Sequence, residues 1–259
     1  MTTSRTHGCS LAVNGFDLHY DVRGDGTPLV LLHGLTGTSK DWVHLLDVEA
    51  WSRRYRLIMP DLRGHGRSTN PSGAFSFRQC ALDVLALLDH LKLERVLALG
   101  VSLGAKALLH LATEQPSRVT SMILVSATPR FPESTRALLR AAATEVRGED
   151  HWSAMRTRHV HGDDQIRALF HLPARLADDT RGMSFTATHL GAIAARTLLV
   201  AGDRDPLYPV ELAVELYRGL PRASLWVVPD GGHSPVFGAV APEFARHAAR
   251  FFELCDSGL

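Results

Sequence analysis

Residues 95–113 read RVLALGVSLGAKALLHLAT and are the segment most informative about the fold. The apolar run 96–99 leads into the pentapeptide GVSLG (100–104) and then into a segment, 103–113, that is compatible with a helix. A serine between two glycines at a strand-to-helix junction lies on a sharp turn, which exposes its hydroxyl at the carboxyl end of the strand. A Cβ at either glycine would obstruct the close approach of strand and helix. The pattern predicts that Ser102 is a nucleophile.

Two backbone N–H groups are candidates for binding an oxyanion beside this serine. Leu103 begins the helix, so its N–H has no acceptor within the helix and is free to donate. At residues 28–42 the chain reads PLVLLHGLTGTSKDW, where His33-Gly34 follows an apolar run and opens at the same edge of the sheet. Leu35 N–H is the second candidate, while His33 is expected to hydrogen-bond neighbouring loops.

Short apolar runs that do not alternate with polar residues recur along the chain, as is typical of strands covered on both faces by helices. They occupy residues 28–32, 56–60, 96–99, 122–125, 197–200 and 225–228. Apolar and polar residues alternate in 10–22 around Asn14-Gly15, which predicts a hairpin before the apolar runs. Helix-compatible segments lie between several runs. The fold class predicted is α/β, with a mostly parallel central sheet and helices on both faces.

Helical periodicity is clearest at residues 79–91, and 240–253 is also helix-compatible. In 79–91 one stripe is expected to hold the leucines, with Asp83 and His90 elsewhere on the helix. The leucines are Leu82, Leu85, Leu88 and Leu91.

The strand–helix alternation breaks between residues 129 and 190, where helix-compatible pieces occur without a convincing strand. Those pieces are 134–146, 151–160 and 164–171. The expected organisation is a core made of residues 1–128 and 191–259, with residues 129–190 inserted as a helical cap or lid.

Candidates for an acid and a base follow the last two predicted strands. Residues 196–209 read RTLLVAGDRDPLYP, in which Asp203 or Asp205 could orient a histidine. Asp205 is preferred because it lies deeper in the loop and precedes a proline, which biases it to an extended conformation. His233 lies in the glycine-rich loop of SLWVVPDGGHSP (224–235), where an imidazole can exchange a proton with the serine. The chain order Ser, Asp, His fits a hydrolase triad.

Bulk composition excludes several classes of protein. The 259 residues are 45% apolar and 21% charged, which is typical of a globular protein with a real core. A net charge of +1 gives no electrostatic basis for binding nucleic acid or an anionic membrane. No apolar run approaches the length of a membrane span. The partner expected is a small-molecule substrate, and the composition carries no prediction of oligomeric state.

The number and spacing of the cysteines indicate the cellular compartment. The chain has three cysteines, Cys9, Cys80 and Cys255, which are too few and too scattered for a disulfide framework. They are interpreted as free thiols in a reducing compartment. Residues 1–8 contain no apolar segment of the kind found in a signal peptide. A cytoplasmic protein is therefore expected.

Four separated parts of the chain together resemble the α/β-hydrolase family. They are the HG loop at 33–34, DLRGHGRS at 61–68, GVSLG at 100–104, and GDRDP at 202–206 with GGHSP at 231–235. The resemblance implies a nucleophile at Ser102, an acid at Asp205, a base at His233 and a lid at the insertion. It also implies that Asp61, Arg63 and His65 fix loops near the site. The chain departs from many relatives in having Ala105 where they have a second glycine after the elbow.

The substrate-binding candidates are apolar or aromatic side chains that would suit an uncharged acyl group of small to medium size. They are Trp42, Phe131, Trp152, Phe170 and Phe185, together with Leu35 and Leu103. No cofactor is expected. The histidines of the insertion lack matching ligands at metal-binding spacing, so no metal site is predicted.

The function predicted is hydrolysis of carboxylic esters, including lactones, through an acyl-enzyme. One alternative keeps the triad and changes the reaction, to carbon–carbon bond hydrolysis or to perhydrolysis without a cofactor. Epoxide hydrolase and dehalogenase chemistry is disfavoured because such relatives carry an aspartate in place of the serine. An alternative of another class is a non-catalytic small-molecule receptor on the same fold.

Overall fold

The computed structural model describes residues 5–256, and the side chains of residues 8–253. The side chain of Cys255, which is predicted to be a free thiol, lies outside the described residues. Residues 1–4 of the segment 1–8 also lie outside them. Within that part, the strands are β1 (Arg5–Val13), β2 (Phe16–Arg23), β3 (Thr27–Leu32), β4 (Tyr55–Pro60), β5 (Val96–Val101), β6 (Val119–Val125), β7 (Arg196–Gly202) and β8 (Ala223–Val228). The helices are α1 (Val48–Ser52), α2 (Phe77–His90), α3 (Leu103–Glu114), α4 (Glu133–Thr144), α5 (Glu149–Arg158), α6 (Asp163–Asp178), α7 (Ala187–Gly191), α8 (Val210–Gly219) and α9 (Ala241–Asp256).

The eight strands form one sheet in the order β1-β2-β4-β3-β5-β6-β7-β8. The pairs β1–β2 and β2–β4 are antiparallel, whereas every pair from β4 through β8 is parallel. The hairpin turns at Asn14 and Gly15, which adopt φ values of 47° and 81°. These left-handed conformations are what an Asn-Gly turn favours. The predicted fold class, a mostly parallel sheet with helices, is confirmed.

The strands are apolar throughout because both faces of the sheet are covered. In β3, Val30 and Leu32 pack into one core with leucines of α2 and α3. Leu29 and Leu31 point the other way, into a second core with α1 and the phenylalanines of α9. Since alternate residues of a strand face opposite sides, only a continuous apolar run fills both cores.

The set of residues that α2 buries differs from the predicted stripe of leucines. Leu85 and Leu88 are buried, but Leu82 and Leu91 are only half-buried. Asp83, expected away from the apolar stripe, is 1% exposed and forms a buried ion pair with Arg63, whose Nε lies 2.8 Å from Oδ2. A charge this deep is stable only with a hydrogen-bonded partner. That partner lies 20 residues upstream, and the periodicity of a single helix does not reveal it.

Between β6 and β7 the chain forms α4, α5, α6 and α7, with no strand of the sheet among them in this described segment. The helix α6 was expected to end at residue 171, but it continues through Pro173 to Asp178. Proline removes one backbone donor from a helix, and here the cost is offset by burial of Pro173, Leu172 and Leu176. The helix α8 was not anticipated at all.

Candidate active site

Ser102 lies on the turn between β5 and α3, in a strained conformation with φ 48° and ψ −102°. Its backbone N–H donates to Val125 O at 2.8 Å, which ties the turn to the end of β6. A Cβ on Gly104 would come within 2.1 Å of Leu32 O, and one on Gly100 would come within 2.6 Å of Ala105 N. Both glycines are therefore required by close backbone approach.

Ser102, His233 and Asp205 form a continuous hydrogen-bonded chain, although they are far apart in the sequence. The Ser102 hydroxyl and His233 Nε2 are 2.8 Å apart, and His233 Nδ1 lies 2.8 Å from Asp205 Oδ2. The imidazole is oriented so that Nδ1–H donates to the carboxylate and Nε2 accepts the serine proton. This is a geometry in which a serine, a histidine and an aspartate can exchange a proton.

The loop after β7 distinguishes the two aspartates. Asp205 is 7% exposed, and its Oδ1 accepts hydrogen bonds from the backbone N–H groups of Leu207 and Tyr208, at 2.8 and 3.1 Å. Asp203 is exposed. Asp205 thus ties the loop together with one carboxylate oxygen while its other oxygen faces His233.

Two features hold the histidine loop against the sheet. Ser126, at the end of β6, accepts a hydrogen bond on Oγ from Ser234 N–H at 3.0 Å. Gly202 lets the loop pass closely, because a Cβ there would lie 2.1 Å from Gly231 O. The position of His233 thus depends on the ends of three neighbouring strands, β6, β7 and β8.

The HG loop lies directly beside Ser102. A Cβ on Gly34 would be 3.7 Å from Ser102 Cβ, and Gly104 N–H donates to His33 O at 3.1 Å. His33 Nε2 accepts from Leu62 N–H at 2.9 Å, so its Nδ1 carries the proton and donates to Gly34 O at 2.8 Å. His33 therefore connects neighbouring loops, as expected.

The two candidate oxyanion donors lie at the rim of this turn. Leu103 is the first residue of α3, so its N–H has no intrahelical acceptor. Leu35 lines a cleft of about 160 Å³ together with Val101 and Ser234, the residues next to Ser102 and His233. Neither N–H is used in the backbone hydrogen bonds of the loops of residues 5–256.

The aromatic candidates divide into two groups. Trp42 lines the same cleft as Leu35, and Phe131 stacks on Tyr208, which contacts His233. The other three lie elsewhere. Trp152 and Phe170 pack on each other in a small cluster of their own, with Met155, Ile166 and Leu169. Phe185 packs on His110 and His189.

The structure therefore does not bring Trp152, Phe170 and Phe185 together with Ser102. Aromatic residues in an inserted helical segment are first needed to stabilise that segment, because its helices must bury their own apolar faces. Their assignment to the substrate pocket stays a prediction.

The DLRGHGRS loop is held by a buried carboxylate. Asp61 Oδ1 accepts from Ser39 N–H at 2.7 Å, and Oδ2 accepts from Arg67 N–H at 2.9 Å. Burial would raise the pKa of Asp61, but these backbone donors outweigh it and hold the pKa below its usual range. With the Arg63 pair described above, this loop is a fixed support for the HG loop.

His159 links the helical insertion to both of these loops. It follows α5 and is 1% exposed. Its Nδ1 accepts from Gly66 N–H at 2.8 Å, and its Nε2–H donates to Thr36 O at 3.2 Å. Burial lowers the pKa of His159 to about 4. The ring is neutral near pH 7, which its acceptor role at Nδ1 requires.

The protein is expected to lose stability as the pH falls from 7 to 5, in part through His159. Its pKa is lower folded than unfolded, so the unfolded chain gains the proton first and the folded state loses about 2 kcal/mol at pH 5 from this group. His159→Asn keeps an acceptor at the Nδ1 position and should reduce this pH slope, measured as the thermal midpoint at pH 7 and 5. His44→Asn, at an exposed histidine, is the control. Equal slopes in the two variants would contradict this account.

Lys106 is a member of the site that sequence reasoning missed. It lies one helical turn after Ser102, is 2% exposed, and places Nζ 2.9 Å from Tyr208 Oη and 3.5 Å from Ser102 Oγ. A signal was available, because a lysine four residues after the nucleophile interrupts an otherwise apolar helix. Residues four apart share a helix face, so it points back towards the serine.

Within the described residues, no group of three or more histidine, cysteine or acidic side chains is arranged to hold a metal ion. Cys9 and Cys80 are free thiols. No helix formed by residues 5–256 combines the length and apolar character needed to cross a membrane.

Comparisons with known proteins indicate the family to which the chain belongs. A family model described as alpha/beta hydrolase fold matches residues 27–162, and one described as TAP-like protein matches residues 172–253. The pimeloyl-(acyl-carrier protein) methyl ester esterase of Nitrosomonas europaea is 30% identical over 249 residues, covering 84% of this chain and 93% of the esterase. RutD of Variovorax paradoxus, whose name provisionally assigns carbamate hydrolysis, is 31% identical over 239 residues, covering 84% of this chain and 89% of RutD.

A solved structure adds to this similarity. Est816, described as an N-acyl homoserine lactone degrading enzyme, superposes with a TM-score of 0.75 at 26% identity, covering 94% of this chain and 100% of Est816. The first family model spans more than half of the chain, and the esterase and RutD are similar over most of their length. The chain belongs to the α/β-hydrolase family.

Proposed function

We propose that this protein is a serine hydrolase that cleaves carboxylic esters through an acyl-enzyme. The observation that carries the proposal is the chain from Asp205 through His233 to Ser102, with both links at 2.8 Å. A serine hydroxyl is a poor nucleophile near pH 7 and needs a base within hydrogen-bond reach. A module that only binds ligands has no chemical need for this arrangement.

In the first half of the reaction, Ser102 Oγ bonds to the substrate carbonyl carbon while its proton passes to His233 Nε2. The carbonyl electron pair moves onto oxygen, and the N–H groups of Leu35 and Leu103 donate to that oxyanion. Removing one such donor typically costs about 3 kcal/mol of barrier. Asp205 stabilises the imidazolium, which then gives its proton to the leaving alcohol as the carbon–oxygen bond breaks.

The second half regenerates the enzyme with water. His233 takes a proton from a water molecule, whose oxygen attacks the acyl carbon, and a second tetrahedral oxyanion forms at the same donors. Its collapse releases the carboxylic acid, and the proton returns from His233 to Ser102 Oγ. Every proton is accounted for by the three side chains and water, so the chain requires no metal or organic cofactor for this reaction.

The names of two relatives support the cleavage of an ester bond. The pimeloyl relative is named a methyl ester esterase, and Est816 is described as degrading a lactone, which is a cyclic ester. Carbamate hydrolysis is a second candidate, supported by the likeness to RutD. A carbamate presents the same carbonyl carbon to the same nucleophile, so the triad serves either reaction.

We further propose that residues 129–190 act as a lid over a core of residues 1–128 and 191–259. Support comes from the contacts of this segment at the site. Arg158 pairs with Asp41 across the cleft, and His159 hydrogen-bonds Thr36 in the HG loop. Trp42 and Phe131 are proposed to contact the acyl or alcohol part of a small to medium substrate.

The proposed place of action is the cytoplasm. Free thiols at Cys9 and Cys80 support a reducing compartment. Cys80 is fully buried, and its burial raises the pKa of its thiol, so it is protected from oxidation.

Turnover of a graded substrate panel tests this function. We expect hydrolysis of p-nitrophenyl acetate and butyrate and of a γ-lactone, with kcat/KM falling for acyl chains longer than about eight carbons because the cleft is small. The Ser102→Ala variant provides the background rate. Faster turnover of a p-nitrophenyl carbamate would favour the second candidate. Absence of turnover above background, together with no labelling by a fluorophosphonate, would overturn the proposal and favour a receptor.

A further inference from the structure

Lys106 is a buried basic group that the triad mechanism does not use. Its Nζ lies within hydrogen-bond reach of the nucleophile, 3.5 Å from Ser102 Oγ, and 2.9 Å from Tyr208 Oη. It reaches both because its side chain runs back along α3 towards the N-terminus of the helix. The reactive oxygen is thus approached by two nitrogens, His233 Nε2 and Lys106 Nζ.

Three aromatic rings surround the Lys106 nitrogen. Nζ lies 4.6 Å from the centroid of the Tyr208 ring, 5.5 Å from that of Phe77 and 5.9 Å from that of Phe131. The faces of such rings attract a cation. Since both hydroxyl oxygens can also accept hydrogen bonds, the surroundings of Nζ are complementary to an ammonium group rather than to an amine.

The charged and titratable groups around Lys106 come from three directions. Asp205, in the loop after β7, attracts the ammonium. His233, in the loop after β8, contacts the same Ser102 Oγ as Lys106 and packs edge-on against Tyr208, with ring centroids 5.2 Å apart. Arg136 of α4 lies over the Phe131 ring at 5.8 Å. Nζ therefore has one carboxylate nearby and shares Ser102 Oγ with the imidazole, while the guanidinium lies over the Phe131 ring.

Burial lowers the pKa of Lys106 to about 7, against the opposing effect of Asp205. Burial also raises the pKa of Tyr208, so this phenol stays neutral and serves as a hydrogen-bond partner. The lysine is consequently poised to change charge within the working range of an enzyme, whereas its tyrosine partner is not.

We propose that Lys106 is a fourth catalytic residue, whose ammonium donates a hydrogen bond to Ser102 Oγ and stabilises the negative charge that develops there. The inference rests on the proposed serine hydrolase function. As His233 takes the hydroxyl proton and Oγ bonds to the carbonyl carbon, Lys106 keeps its own proton, so no additional proton transfer is needed. Tyr208 is a positioning residue that holds Nζ in place.

This role has a definite consequence for pH dependence. His233 must be neutral to act as a base, which makes kcat/KM rise with pH. Lys106 must be charged, so kcat/KM falls again as the pH rises through the pKa of its ammonium. A bell-shaped profile with its maximum near neutral pH is expected. Without the lysine, the falling limb near neutrality disappears.

Kinetics of Lys106→Met on p-nitrophenyl butyrate between pH 5 and 10 test the role. Methionine keeps the unbranched shape without the charge. We expect kcat to fall at least about tenfold with KM changed less than about threefold, because the interaction forms at the reacting oxygen. The profile should become a plateau at high pH. Lys92→Met, at an exposed lysine between α2 and β5, is the matched control. A folded Lys106→Met enzyme with a wild-type rate and falling limb would overturn the inference.

A second measurement does not depend on turnover. The chain contains only three lysines, and Lys40 and Lys92 are exposed. With ¹³Cε-labelled lysine, NMR should therefore show one signal, absent in Lys106→Met, with a midpoint near 7. Ser102→Ala and Tyr208→Phe each remove a hydrogen-bond acceptor and should lower that midpoint.

The two experiments separate the possible failures. An enzyme that hydrolyses esters while the Lys106 midpoint is unmoved by Ser102→Ala would overturn the lysine role and leave the hydrolase proposal standing. A protein with no hydrolase activity would overturn both the hydrolase proposal and the catalytic role, even if the NMR midpoint shifts. Support requires that the midpoint shifts and that the falling limb disappears.

Discussion

Replacement of Ser102 by alanine is expected to lower kcat for p-nitrophenyl butyrate by roughly four to six orders of magnitude. The loss is this large because the variant has no oxygen that can form the acyl-enzyme, so only binding and the oxyanion donors remain to act on water. Initial rates at saturating substrate, with highly purified variant, measure it.

The fold should tolerate this substitution, since Ser102 is 9% exposed and its side chain is not used to cap α3. Alanine adopts the strained φ of 48° no more easily than serine does, so the thermal midpoint should stay close to that of the wild type. A variant that keeps more than about one-hundredth of the wild-type kcat would contradict the assignment of the nucleophile.

Asp205→Asn is expected to lower kcat by about 10,000-fold. An asparagine can present its amide N–H₂ to His233 Nδ1, which then accepts a hydrogen bond and leaves the proton on Nε2. In that tautomer the imidazole cannot take the proton of Ser102. The measurement is kcat at pH 7 to 8 for both proteins.

Asp203→Asn is the matched control, since it makes the same chemical change two residues away in the same loop. Asp203 is exposed, whereas Asp205 is 7% exposed and accepts hydrogen bonds from Leu207, Tyr208 and His233. The control should change kcat by less than about twofold. If instead Asp203→Asn were the inactive variant, the acid would have been assigned to the wrong carboxylate.

The meeting of Ser102, Asp205 and His233 could be predicted because local features of the sequence mark the ends of strands. Ser102 lies between glycines after an apolar run, and His233 lies in a glycine-rich loop after the last strand. In a parallel sheet these strand ends share one edge, so residues remote in sequence are expected to meet there. That reasoning needs no knowledge of side-chain packing.

Lys106 could not be assigned in the same way because its partners come from other elements. Tyr208 is 102 residues away, and Phe77 and Phe131 belong to α2 and to the segment after β6. A lysine in an apolar helix is visible in the sequence, but whether it faces solvent or a buried hydroxyl depends on tertiary contacts. Asp83, paired with Arg63, escaped prediction for the same reason.

The packing of the aromatic residues of the insertion could not be predicted for a different reason. Trp152 and Phe170 were expected at the substrate because aromatic residues in a lid can reach the site, yet they bury each other's surface instead. The pattern of apolar residues indicates which side chains are buried and not what they are buried against. Phe131, near the end of β6, lies next to the site because the strand end brings it there.

The most direct test of the central claim is to locate the covalent adduct left by a fluorophosphonate. Trypsin cleaves after Arg95 and Lys106 and releases residues 96–106, a peptide in which Ser102 carries the only hydroxyl group. The account predicts one equivalent of label on this peptide by mass spectrometry and none in Ser102→Ala. Label on a different peptide, or ester turnover by a protein that takes no label, would contradict it.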